Sequence, residues 1–448
     1  MDLLPRVSAG PQPFSVSSSQ HWEGNDERWS TTIIRGQETW VPLPEGCSTS
    51  DPPDCSNLRG VQDYQNQPSN GFKTNQSTTW ESINFYKLEL EDILNYTGNG
   101  QYGFETIGLE LQNSSGPTLT HQVVAGFVTK DFKFGIFDLG PKPTNFSDFN
   151  DPQPSFLWSL HNQSIIPSLS YGYSAGTAYV GEGVGASVVL GGYDALRLDS
   201  NNLTIPLGPD DSRSLLMGLQ SIQANNTLQG TTSLLSQGIF TFIDSTVPEI
   251  WLPIPECKAF ETAFGLYLDN STDRYLVNDT VHSQLLQLNP SITFKLGAEV
   301  YGGSSIDIVL PYAAFDLVAN YPIYPTATNY FPLWRAANAS QYTIGRTFLQ
   351  ESYLVVDYER SDFTVAQAVF PPNATQKIIH ILPLEPPKSH QQPTHLHRTK
   401  LVSIVLACIT FLLALLLFGY FVFKRQKKLK QRESRDGNLK QTITRYWH

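Results

Sequence analysis

The chain has 448 residues, a formal net charge of −11, 40% apolar residues and only 16% charged ones. That length asks for two or three domains, and that composition excludes wholesale disorder. The acidic balance argues against a nucleic-acid partner. The charge is unevenly placed: Lys424 to His448 holds nine Lys/Arg against two acids, a net of +7, which leaves −18 on the rest.

Residues 1–21 contain no apolar run of the length a signal peptide needs. From residue 22 to 370 the chain reads as a β protein. WSTTII, GASVVLGG, GIFTFI, SITFKL and SIDIVLP are strand-like runs separated by Gly, Pro, Asn and Asp. YLVVDY, ERSD and FTVAQAVF read as a hairpin, and SFLWSLHNQ and CKAFETAFGL are the best helical patterns. Residues 371–400 are polar and Pro-rich, the composition of a stalk. His390, His395 and His397 lie in it, where an exposed polar segment is expected and a metal site is not.

Leu401 to Phe423 is uncharged and apolar over 23 residues. At 1.5 Å per residue that is about 35 Å, enough to span the hydrocarbon core. The basic segment 424–448 that follows marks a cytoplasmic tail, placing the body in the lumen or outside. Asn-x-Ser/Thr sequons at Asn75, Asn95, Asn113, Asn145, Asn162, Asn202, Asn225, Asn270, Asn278, Asn338 and Asn373 all precede the span, which fits that side. Cys47 and Cys55 are spaced to close a small disulfide loop in an oxidising compartment. Cys257 has no evident partner. The absent signal peptide points the other way, toward a tail-inserted protein with a cytosolic body; the sequons, cysteine loop and basic flank outweigh it.

Two short motifs suggest chemistry and fail on context. Gly172-Tyr173-Ser174-Ala175-Gly176 matches a serine-hydrolase elbow, but TAYVGEGVG follows it where a helix is required. Gly181, Gly183 and Gly185 lack a strand-to-helix setting and read as a hairpin turn, not a nucleotide loop. No zinc spacing is present, and no metal or cofactor is expected.

Six segments, in order, resemble the pepsin-like aspartic proteases (peptidase family A1). They are ETWVPLPEGC, GFETIGLEL, FGIFDLGP, SFLWSLHNQSII with SVVLGGYD, GIFTFIDSTVPEIWLP, and YTIGRTFLQESYLVVDYERSDFTVA. The sequons, single span and basic tail look most like a fungal membrane-anchored branch of that family. The resemblance implies an all-β, bilobal fold: a first lobe over 22–190, a second over 191–370, and a cleft between them. It implies acid endopeptidase chemistry by two carboxylates sharing a proton, one from an Asp-Thr/Ser-Gly turn in each lobe. In the second lobe Asp244-Ser245-Thr246 keeps the carboxylate and the bracing hydroxyl. Thr246 replaces Gly, where a Cβ threatens a tight turn, and Pro248 replaces the usual hydroxyl residue. In the first lobe Ile34-Arg35-Gly36 stands where Asp-Thr-Gly belongs. Asp26, Glu27 and Glu38 are not in that position. The flap is expected to be short, with Tyr96 or Tyr102 in place of its tyrosine.

The expectation is therefore a monomeric, single-span, pepsin-like protein that has lost its dyad and binds peptide or glycoprotein segments in its cleft. The alternative is an active aspartic endopeptidase whose first catalytic segment is missing from the gene model. The transcript across codons 34 to 37 separates the two.

Overall fold

The computed structural model describes residues 10–16, 33–34, 38–63, 67–109, 116–137, 139–146, 148, 150–372, 375–384, 409–428 and 430. Residues 10–384 belong to one compact unit, and the helix Ile409–Lys428 belongs to a second. That helix is 20 residues long with a mean hydropathy of 1.5, long and apolar enough to cross a membrane. Residues 401–408 of the expected span lie outside the described residues, as do the stalk histidines.

The body is built from three large sheets. A central six-stranded sheet runs Phe14–Val16, Ser187–Leu190, Ser170–Ser174, Ser352–Asp357, Asp362–Ala368, Leu198–Pro206. The short strand Phe14–Val16 pairs antiparallel with Ser187–Leu190, so part of the N-terminal segment is a strand of the body. The hairpin near the end forms as its pattern predicts, with Asp357 opposite Asp362. Gly181 and Gly183 have φ of +61° and +97°, in the turn closed by the Thr177–Val184 bridge, which is why glycine stands there. Ser174 ends the strand Ser170–Ser174 fully buried, with a turn after it and no helix, so no nucleophile elbow exists.

Each lobe carries one further sheet. In the second lobe Ser291–Gly297 and Ser305–Pro311 alternate buried and open positions, the period-2 pattern their sequences carry. Their inward Ile, Phe and Leu join the main core with Ile222, Phe260 and Phe348. In the first lobe Trp40, Tyr102, Phe127, Phe132 and Phe134 form a smaller aromatic core. The helix Phe156–Asn162 is capped by Ser155, whose Oγ accepts from the Trp158 amide at 3.3 Å. A helix over Asp279–Leu288 also forms, capped by Asn278; Val281, Leu285 and Leu288 recur at i, i+4 and i+7, with Leu285 buried and Val281 packed against the core. Cys47 and Cys55 are disulfide-bonded, while Cys257 is a buried free thiol.

The two lobes repeat one strand pattern. In the second, Ile239–Ile243 runs parallel to Thr343–Ile344, with Phe242 opposite Thr343 and Ile243 opposite Ile344. Trp251 then pairs with Thr343 from the other side. In the first, Ile33 lies opposite Ile136 and Ile34 opposite Phe137, and Trp40 pairs with Ile136. Ile34 is therefore the counterpart of Ile243, and Trp40 of Trp251. Seven residues, 244–250, join the equivalent points in the second lobe, and five, 35–39, in the first.

Candidate active site

A cleft of about 580 Å³ lies between the lobes, bordered by Asp244 and Ser245 from one side and by Glu38, Trp40, Tyr86 and Tyr102 from the other. Asp244 follows directly on the strand Ile239–Ile243, and its amide donates to the Ile344 carbonyl at 3.0 Å. Its Oδ1 accepts from the Thr246 amide at 2.8 Å, an Asx turn that fixes the carboxylate against the backbone. Asp244, Ser245 and Thr246 are all buried. Thr246 keeps an ordinary backbone conformation outside the left-handed region, so its Cβ does not strain the turn that its sequence made suspect.

The loop is held from beneath by the segment after Thr343–Ile344. Arg346 is buried, and its Nη1 donates to the Ser245 carbonyl at 2.7 Å and the Thr246 carbonyl at 2.8 Å. The Arg346 amide donates to the Val247 carbonyl, and the Thr347 amide and hydroxyl to the Pro248 carbonyl. Gly345 permits this approach: a Cβ there would lie 2.4 Å from the carbonyl oxygens of Val247 and Glu249. Arg346 carries the site and was not singled out from sequence; the basic residue after the Gly of YTIGR was the available signal.

The other wall differs from a second aspartate turn. By the strand register the counterpart of Asp244 follows Ile34, one residue beyond the alignment that put Ile34 itself there. Residues 35–37, with sequence Arg-Gly-Gln, lie outside the described residues, as do Asp26 and Glu27. Val247, from the Asp244 loop, packs with Leu94, Trp251 and Tyr96. Leu94 and Tyr96 come from residues 88–98, which connect the strands Glu81–Lys87 and Asn99–Gly108. Gln341 Nε2 also donates to the Ile93 carbonyl at 2.6 Å. The tip of this hairpin is thus docked on the second lobe. Tyr96 lies outside the cleft, whereas Tyr102 and Tyr86 line it, with ring centroids 5.7 Å apart. Tyr86 was not among the tyrosines the sequence offered for the flap.

Glu38, set aside on sequence grounds as lying beyond the loop, lines the same cleft as Asp244. Its Oε2 accepts from Trp40 Nε1 at 3.2 Å and Tyr102 Oη at 3.1 Å, and its Oε1 from Thr144 Oγ1 at 3.2 Å. The residue as a whole is half-buried, but the carboxyl end is deeply desolvated. Burial raises its pKa, and the three donors offset part of that rise. Glu249 occupies the equivalent place in the second lobe, two residues before Trp251, and is buried. The signal was an internal repeat: ETWVPLPE over 38–45 and EIWLPIPE over 249–256.

A group whose pKa is raised on folding binds its proton more tightly in the folded state. Stability is then lost as pH rises from the unfolded value near 4.5 through the raised folded value. Glu38→Gln keeps an acceptor and removes the titration. We expect the urea stability of the wild type to fall relative to Glu38→Gln between pH 4 and 7. Parallel pH profiles for the two proteins would show that Glu38 does not titrate in that way.

A model of the eukaryotic aspartyl protease family matches residues 37–368, so the chain belongs to that family. The match begins just after Ile34-Arg35-Gly36 and includes Asp244. Among solved structures, an aspartic proteinase from Irpex lacteus superposes with a TM-score of 0.52 at 16% identity, covering 81% of this chain and 99% of that one. That likeness supports the bilobal pepsin-like fold. No curated protein sequence matches the chain significantly.

Proposed function

We propose that this protein is a pepsin-like cleft protein without protease activity, anchored by one membrane span, that binds peptide or glycoprotein segments between its lobes. One observation carries the reading: an aspartate turn serves the cleft from the second lobe, at Asp244, and the residues following Ile34 supply no second aspartate. Peptide hydrolysis by this fold needs two aspartates sharing one proton, so the acid–base pair is incomplete. The cleft keeps what binding requires, namely a large concave surface with aromatic walls from Trp40, Tyr86, Tyr102 and Tyr173 and polar groups among them. The test is an assay of the full-length chain for pepstatin-sensitive cleavage of denatured casein, with none expected.

The same reading places the body in the lumen or outside the cell and the basic tail in the cytoplasm. Nine of the eleven sequon asparagines lie in the described residues, and eight of those nine are exposed; Asn225 is half-buried. Asn113 and Asn373 lie outside the described residues. Glycosidase treatment of membrane fractions should lower the apparent mass by several kilodaltons. An unshifted band would put the body in the cytosol. Asn145 lines the cleft itself, so a glycan there would narrow access.

A further inference from the structure

A second cavity, of about 140 Å³, lies next to the Asp244 loop. The loop divides between the two spaces: Asp244 and Ser245 line the cleft, while Thr246, Pro248 and Glu249 line the cavity. Five cationic side chains border it, Arg59, Lys130, Lys133, Arg274 and Arg346, against two carboxylates, Asp131 and Glu249. Among the described residues the lining carries a net +3, or +1 once Asp51, which pairs with Lys130, and the buried Glu91, whose charge reaches the lining Tyr96, are counted. The described body is otherwise strongly acidic, so this concentration of positive charge is local.

The guanidinium groups of Arg59 and Arg274 donate to neutral acceptors. Arg59 donates to the carbonyls of Gly46, Val128 and Thr129, and Arg274 to that of Thr272 while its guanidinium lies 5.4 Å from the Trp334 ring. Carbonyls satisfy hydrogen bonds but do not balance charge. Arg59 is only 5% exposed, and the Nε atoms of Arg59 and Arg274 are buried without a hydrogen-bond partner. Desolvated cations with donors left over are costly unless an anion compensates them.

We propose that this cavity binds a small oxyanion, a phosphate or a short carboxylate. Its volume suits that size, equal to about four or five waters at ~30 Å³ each. It is too small for a peptide. Planar guanidinium groups match carboxylate and phosphate oxygens in geometry as well as charge. The bound anion would brace the Asp244 loop from the side away from the cleft.

The test is titration calorimetry on the full-length chain in detergent, with sodium phosphate and with sodium malonate, at ionic strength held constant by sodium chloride. Saturable one-to-one binding of either probe is expected, and the probe that binds identifies the oxyanion class. Arg274→Gln should weaken it at least tenfold, and Lys295→Gln, an exposed strand residue far from the cavity lining, should leave it unchanged. Near-UV dichroism checks that Arg274→Gln is folded, and Lys133→Gln replaces it if it is not. No saturable binding of either probe, or equal binding by the folded cavity variant, overturns the proposal.

Discussion

The full-length chain should show no detectable peptide hydrolysis between pH 3 and 6, and Asp244→Asn should leave that result unchanged. In a working pair one carboxylate activates water and the other donates to the substrate carbonyl, and their close approach splits their apparent pKa values. Asp244 has the position, the Asx turn and the burial for one half of this task. The segment that would supply the other half reads Arg35-Gly36-Gln37 and is two residues shorter than its counterpart. Glu38 does not substitute on its present contacts, because Trp40, Tyr102 and Thr144 all donate to its carboxyl oxygens. Losing general acid–base assistance alone costs about 10²–10⁴ in rate, and a water without a second anchor is poorly placed as well. Denatured casein with a pepstatin control is the assay. Pepstatin-sensitive cleavage that vanishes in Asp244→Asn would establish an active endopeptidase and defeat the reading of a silent cleft. Because position 244 lies at a strand end with its side chain bonded locally, the Asn variant should fold, so the comparison stays interpretable.

What could be read in the sequence depended on whether a feature was local. GIFTFIDSTVPEIWLP announced its strand, its turn and its aspartate because each is set by neighbours within a few residues, and the structure places Asp244 at the end of Ile239–Ile243. The closing hairpin and the helix Phe156–Asn162 were legible for the same reason. The flap was only half legible. Of the two tyrosines the sequence offers, Tyr102 lines the cleft, whereas residues 88–98 form a connection that folds onto the second lobe and carries Tyr96 away from it. Tyr86, on the strand before that connection, faces the cleft as well. Glu38 looked misplaced because it follows the expected loop, yet it lines the cleft wall two residues before Trp40. The helix Asp279–Leu288 was legible and passed over: Val281, Leu285 and Leu288 recur at i, i+4 and i+7 behind the cap Asn278. For Arg346 the YTIGR segment gave a position but no role, since its partners, Ser245 and Thr246, lie about a hundred residues away.

Arg346→Met should cost the protein about 3 kcal/mol or more and loosen the Asp244 loop specifically. The guanidinium of Arg346 bridges two successive loop carbonyls at 2.7 and 2.8 Å, and all three residues are buried. Hydrogen bonds to a charged donor contribute about 1.5–3 kcal/mol each, and a buried acceptor left without its donor adds a desolvation penalty. Methionine keeps the apolar stem and the backbone amide that donates to Val247, so the strand Thr343–Ile344 and its register should survive. The loss then falls on the side-chain bridge. Lysine offers one compact ammonium in place of the planar fork and should recover only part of the stability. Urea unfolding followed by tryptophan fluorescence reads this directly, because Trp251 lies in the same cluster as Val247 of the loop. A Met variant within about 1 kcal/mol of wild type would mean that the Asx turn and the Thr347 contacts to Pro248 hold the loop without the arginine. A large loss with native binding of cleft ligands at saturating folded protein would separate stability from recognition, and assign Arg346 to the scaffold of the site.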